Sequence, residues 1–282
     1  MDQRTSGTGR RLDQSLTGAN GPFGSVPIHI AAPLRRFFMA DTFMPFSSPQ
    51  NRPQTVWLLD LDNTLHDASW RVFPLMNAEM TAFIERHLGV EREEANRIRA
   101  HFWQRYGATL LGLMHEHGVD AAQFLRETHD FPHLPRMLRC DGSERAALAR
   151  LPGRKLVLTN APRNYARRVL KTLKLWPLVD GLIAVEDMWM FHKLRPKPDA
   201  RMLRHVLARH RLRPAQCVLV EDTPGHLQAA RRIGLRGAWM VRYARRAARA
   251  RRDLPMERTG LHGRPDFVAA RIRSLNELRR LV

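Results

Sequence analysis

From Thr55 onward the apolar residues gather into five short, dense runs: Val56–Leu59, Lys155–Leu158, Leu182–Val185, Cys217–Val220 and Ala238–Val241. Runs of that length predict strands buried on both faces, because a strand with one wet face would alternate polar and apolar positions. Helix-like segments separate the later runs. Strand–helix alternation predicts an α/β fold, a doubly wound parallel sheet of Rossmann-like type with helices on both faces.

The stretch between the first two runs is too long for a single crossover and carries helical spacing throughout. Phe73, Met76, Met80, Phe83, Ile84 and His87 share one face. Further helices are expected over Glu91–Tyr106, Ala108–His117, Ala121–Asp130 and Pro135–Ala149. The spacing therefore predicts a core of residues 54–66 and 152–241 interrupted by an α-helical cap, 67–151. Residues 1–53 lack periodicity, are rich in Gly, Ser and Thr, and are expected to be disordered; Met39 and Met44 offer later translation starts. Residues 242–282 are expected to form an Arg-rich helical tail.

Open parallel sheets bind ligands beyond the carboxyl ends of their strands. Acids and small polar residues collect at those ends here. Asp60 and Asp62 follow the first run in DLDNT, and residues two apart on an extended chain point the same way. Two close carboxylates repel, so a divalent cation suits one while the other serves as an acid. That pairing fits hydrolysis through an acyl-phosphate, with one aspartate attacking phosphorus and the other protonating the leaving oxygen. The plainer alternative is a turn capped by Asp and Asn. Thr159 and Asn160 end the second run before a helix start, which makes either a phosphate pocket or an N-cap. Lys197 stands between two prolines in RPKPD, held where it neutralises a phosphoryl oxygen, or else a solvated loop lysine. Glu221 and Asp222 end the fourth run and suit Mg²⁺, or cap the helix that follows.

Taken in order, DLDNT, TN, KP and ED resemble the haloacid dehalogenase superfamily of aspartate-nucleophile phosphohydrolases, over Thr55 to Val241. The resemblance implies Asp60 as nucleophile and Asp62 as general acid and base with its carbonyl on Mg²⁺. It further implies Thr159 as the phosphate-binding hydroxyl, Lys197 as the stabilising lysine, and Asp222, with Glu221 beside it, as metal ligand. A helical cap inserted after the first motif belongs to the same pattern. DLDNTLH, RYGATLLGL (Arg105 to Leu113), LTNAP and EDM look like the pyrimidine 5′-nucleotidase branch, in which a nucleoside monophosphate is the substrate. Two features depart from that branch: His66 stands where Tyr is usual, and FHKLRPKPD is longer. His66, Arg105, Tyr106 and Thr109 are the candidate substrate contacts, and His129, Phe131 and His133 a candidate lid edge. The alternatives within the superfamily are a phosphoglycolate or sugar-phosphate phosphatase and a phosphomutase.

Composition bounds the rest. The 44% apolar and 26% charged residues are globular proportions, and no apolar run is long enough to span a membrane. The two cysteines, Cys140 and Cys217, exclude a disulfide framework and fit a reducing, cytoplasmic setting. The net charge of +20 is concentrated at the end, where residues 231–282 hold 15 arginines against 4 acids. Arg242, Arg245, Arg246, Arg249 and Arg252 would share one helical face, as a nucleic-acid grip or as a solvated stripe.

Overall fold

The computed structural model describes residues 54–243 and 265–281. In chain order its strands are β1 (Val56–Leu59), β2 (Arg154–Leu158), β3 (Gly181–Ile183), β4 (Trp189–Met190), β5 (Lys193–Leu194), β6 (Cys217–Glu221), β7 (Arg236–Met240) and β8 (Ala270–Ile272). Its α-helices are α1 (Ala68–Leu88), α2 (Arg92–Tyr106), α3 (Thr109–His117), α4 (Ala121–His129), α5 (Leu134–Met137), α6 (Gly142–Arg150), α7 (Arg163–Thr172), α8 (Ala200–Arg209) and α9 (Pro224–Arg231).

Six strands pair in parallel in the order β3-β2-β1-β6-β7-β8. The chain winds out from β1 to β3 and returns on the other side of β1, so the switch point lies between β1 and β6. Alternate residues of each strand point to opposite faces. Leu58, Leu156 and Leu219 meet Met202, Leu203 and Val206 of α8 and Leu227 of α9. Trp57, Val157 and Val218 meet Leu148 of α6 and Tyr165, Val169 and Leu170 of α7. Both faces are greasy because both are covered, which is why these runs do not alternate in sequence.

The cap follows from the same logic at helical period. Phe83 and Ile84 of α1, Ala95 and Phe102 of α2, Leu113 of α3 and Phe124 of α4 are all buried. Phe83 and Phe124 meet edge to face at 5.1 Å. Phe102 packs directly on Gly112, where a Cβ would lie 2.2 Å from the ring.

Three expectations change. The helix expected over Pro135–Ala149 is two, α5 and α6, because Leu138 is extended and Arg139 accepts a hydrogen bond from the Asp67 N–H (2.9 Å). The two strands of chain joining cap to core are thus tied to each other. α6 packs on the sheet rather than in the cap, so the body of the cap is α1–α4.

Residues 265–281, expected in a helical tail, add β8 to the sheet edge and a 3₁₀ segment, Leu275–Leu281. Ile272, Leu275 and Leu278 are buried in the hydrophobic cluster on the α6–α7 side of the sheet. Arg242 is not on a solvated stripe: its guanidinium pairs with Asp141 and Glu144 at the start of α6. The arginines at 245, 246, 249 and 252 and the whole of 1–53 lie outside the described residues. The extra length of FHKL is the β4–β5 hairpin, which turns at Phe191 and His192 in left-handed conformation (φ 49° and 60°). Among the described residues no helix is long and apolar enough to cross a membrane.

Candidate active site

β1 delivers Asp60 to the switch point. Its N–H donates to the Val220 carbonyl (2.9 Å), extending the β1–β6 ladder by one step and setting Asp60 beside Glu221 and Asp222. Lys197 enters from the other side, 1% exposed, and its Nζ donates to Asp60 Oδ1 and to Glu221 Oε2, both at 2.7 Å. Asn160 holds the lysine's backbone: Lys197 N–H donates to Asn160 Oδ1 (2.9 Å) and Asn160 Nδ2 donates to the Lys197 carbonyl (3.0 Å). Asn160, expected in a phosphate pocket, thus clamps the backbone of Lys197 from 37 residues away.

Glu221 and Asp222 separate in role. Glu221 Oε2 takes Lys197 and lies 3.0 Å from His226 Nδ1, while Oε1 accepts from the N–H groups of Asp222 (3.1 Å) and Thr223 (3.2 Å). Both its oxygens thus accept hydrogen bonds, one of them from the lysine, and Glu221 also belongs to the acid cluster expected to hold a metal. Among the described residues the Asp222 carboxylate accepts from the Thr223 hydroxyl (3.0 Å), and its carbonyl is fixed by the Trp239 indole (2.9 Å).

Asp60, Glu221 and Asp222 carry carboxylate oxygens within 4.8 Å of one another. Two buried acids and the half-buried Asp222 around one ammonium leave uncompensated negative charge. Burial first, then Glu221, pushes the Asp60 carboxyl up to about 7 against the pull of Lys197. Burial, Glu221 and Asp60 drive Asp222 well above the carboxylate range. Burial opposes charge on Glu221 too, but Lys197 and His226 together outweigh it and hold that carboxyl well below its usual value. Lys197 is in turn held above its ordinary value, its two carboxylates overcoming burial. Hard oxygen donors carrying excess negative charge fit a divalent cation, and Asp60, Glu221 and Asp222 form the cluster that could hold one.

Asp62 leaves the strand end on a different course. Its Oδ1 accepts from the Tyr165 hydroxyl (2.7 Å) and from His66 Nε2 (2.9 Å). Asn63, left-handed at φ 61°, exchanges two hydrogen bonds with Ser69 and so fixes the loop that enters α1. Thr159 is buried, its hydroxyl accepting from the Ala161 N–H (3.0 Å). The α7 start is less open than expected, since the Arg163 N–H donates to Glu186.

The candidate substrate contacts divide. His66 is fully buried and its Nε2 pairs with Asp62 Oδ1. The Thr109 hydroxyl donates to the Arg99 carbonyl inside the cap (3.0 Å). The Tyr106 hydroxyl donates to Glu116 (2.6 Å), with Arg105 exposed over its ring at 5.4 Å. The turn between α2 and α3 nevertheless reaches the core: a Cβ on Gly107 would lie 3.7 Å from Pro198, the residue after Lys197. Gly107 is left-handed (φ 78°), the conformation that lets the chain reverse there. At the lid edge His129 and Phe131 pack on the Tyr165 ring, and Arg168 donates to the Phe131 carbonyl (2.5 Å); His133 is exposed. Sequence reasoning missed Tyr165, because a tyrosine on the apolar face of α7 reads as core.

The haloacid dehalogenase-like hydrolase family profile matches residues 56–234. Phosphate metabolism protein 8 of Saccharomyces cerevisiae is 27% identical over 190 residues, 64% of this chain and 59% of that protein. Validoxylamine A 7′-phosphate phosphatase of Streptomyces hygroscopicus subsp. limoneus is 34% identical over 79 residues, 28% of this chain and 35% of that protein. The chain thus spans less than two thirds of either curated relative. Among solved structures, a phosphatase of this superfamily from Thermococcus onnurineus superposes with a TM-score of 0.53 at 18% identity, over 81% of this chain and 97% of the other. The hydrolase YfnB of Bacillus subtilis, solved with magnesium, gives 0.50 at 14% identity over 81% and 98%. These two share the fold. With the family profile spanning both halves of the core and the cap between them, the chain belongs to the haloacid dehalogenase-like hydrolases.

Proposed function

We propose that the protein is a Mg²⁺-dependent phosphomonoester hydrolase acting through an aspartyl-phosphate on Asp60, with the pyrimidine nucleotides UMP and CMP as substrates. The observation that carries the chemistry is the buried lysine bridging Asp60 and Glu221 beside Asp222. Asp60 attacks phosphorus, and the P–O bond to the leaving group breaks as Asp62 protonates that oxygen. Asp62 then takes a proton from water as the water attacks phosphorus and frees Asp60. Lys197, already charged and already desolvated, needs no reorganisation to hold Asp60 and to face the charge gathering on the phosphoryl group. Asp60 and Asp222 would hold the cation, with the Asp62 carbonyl as the family pattern implies, and the cation would neutralise phosphoryl charge when bound.

Support for a nucleotide comes from the cap stretch Arg105–Leu113, whose sequence resembles the pyrimidine nucleotidase branch and whose Gly107 turn sits beside Pro198. Magnesium in the Bacillus subtilis hydrolase supports the choice of cation. The test is phosphate release from 5′-nucleotides, phosphoglycolate and sugar phosphates, with Mg²⁺ and with EDTA. Release confined to Mg²⁺ and favouring UMP and CMP is expected. Preference for another ester would replace the nucleotide and keep Asp60; conversion without phosphate release would make the enzyme a phosphomutase.

A further inference from the structure

We propose that Tyr165 and His66 are positioning residues that aim one oxygen of Asp62 at the leaving group. The proposal rests on the phosphohydrolase reading above and deepens it. Both donors end on Oδ1, at 2.7 and 2.9 Å, and Oδ2 takes neither. Two hydrogen bonds to one oxygen fix the plane of the carboxyl and leave the other oxygen as the place where a proton comes and goes.

The donors suit both halves of the reaction. An ionised carboxylate only accepts, so His66 must carry its proton on Nε2. Its Nδ1 is then a bare acceptor, and that atom is buried with no partner among the described residues. With Oδ2 protonated, Oδ1 still accepts from both donors; with Oδ2 bare, nothing needs to turn. Asp62 thus gives a proton to the departing alkoxide and later takes one from water without changing either hydrogen bond.

Neither donor is free to drift. His66 is wholly buried and Tyr165 is 1% exposed. The tyrosine ring lies edge-on to His129 (5.7 Å, 70°) and to Phe131 (5.9 Å, 81°), both on the segment that returns from the cap. Arg168, one turn further along α7, fixes that segment through the Phe131 carbonyl and Asp130 (3.1 Å). The aim of the acid is therefore held partly by residues that belong to the cap's return.

The test compares Tyr165→Phe, which keeps the ring packing and deletes the donor, with wild type, both with Mg²⁺. kcat/KM is measured for an alkyl phosphate and for p-nitrophenyl phosphate, whose good leaving group needs no proton. A positioned general acid contributes on the order of 10²–10⁴-fold, so loss of its aim is expected to lower the alkyl value by at least about tenfold and the aryl value by less than about threefold. Equal losses on the two esters, or an alkyl loss under about threefold, would overturn the proposal. Asp62→Asn serves as the control. If it shows no alkyl–aryl difference, the acid assignment itself fails; if it shows one and Tyr165→Phe does not, only the positioning role fails. Should Tyr165→Phe not fold, His66→Gln is read against His66→Leu. The glutamine, which keeps a donor, is expected to retain the alkyl-to-aryl ratio that leucine loses, and identical ratios would overturn the proposal.

Discussion

Two acids stand side by side at the end of β6, and their hydrogen bonds assign them different work. Glu221 spends both oxygens on Lys197, His226 and two backbone N–H groups, whereas Asp222 keeps its carboxylate nearly free. Asp222→Asn is therefore expected to raise the Mg²⁺ concentration for half-maximal activity at least about tenfold, as loss of a charged oxygen ligand should. Glu221→Gln is expected to leave that concentration near wild type and to lower kcat instead; a Mg²⁺ titration of both variants separates them. Asn160→Ala strips partners from the buried N–H and C=O of Lys197, at ~1–3 kcal/mol for each group left unsatisfied. A lower Tm is expected together with about a 10²-fold loss of kcat, since a catalytic group displaced by about 1 Å costs that much. These roles were only partly legible in the sequence. The order of acids, lysine and hydroxyl marked where chemistry gathers, but Asn160 and Lys197 are 37 residues apart, and nothing local to either says that one clamps the other.

At the scale of elements, the hydrophobic runs located β1, β2, β6 and β7 to within two residues at each end, because each is buried on both faces and has no polar register to confuse it. The break between α5 and α6 was missed, since Leu138 is a sound helix residue that turns extended just before Arg139 meets Asp67 across the cap junction. β8 was missed because ARI is short and charged and sits on a sheet edge, where a strand needs little apolar sequence. The cap's integrity depends on α2 and α3 approaching closely at Gly112. Gly112→Ala drives a Cβ into the Phe102 ring, and overpacking of this kind costs about 1–3 kcal/mol. Thermal unfolding should show that loss, and Gly142→Ala, which has open space at its Cβ, should not.

For the molecule as a whole, residues 265–281 are part of the core and not an appendage. Truncation after Val241 removes Ile272, Leu275 and Leu278, each buried to within 1%. Their burial is worth roughly 5–9 kcal/mol together, at the scale of a whole domain's stability. The truncated chain is expected to lose its cooperative unfolding transition; a folded product would contradict this placement of β8. Charge acts at the same scale. The Asp60 carboxyl is raised from 3.8 to about 7, so the folded protein binds more protons than the unfolded one between those values. Its contribution to the stability of the metal-free protein is therefore present below pH ~4 and lost as pH rises towards ~7. Mg²⁺ needs the ionised carboxylate, so the rise in Tm on adding Mg²⁺ is expected to be larger at pH ~8 than at pH ~5.5. Asp60→Asn should flatten both trends.

The central claim, that Asp60 is the nucleophile, is tested most directly by mixing the enzyme with p-nitrophenyl phosphate and Mg²⁺, quenching in acid, and locating the phosphoryl group by mass spectrometry. Phosphate is expected on Asp60 in the wild type and not in Asp60→Asn, with no turnover by that variant. Turnover by Asp60→Asn within about tenfold of wild type, a barrier change of only ~1.4 kcal/mol, would contradict it.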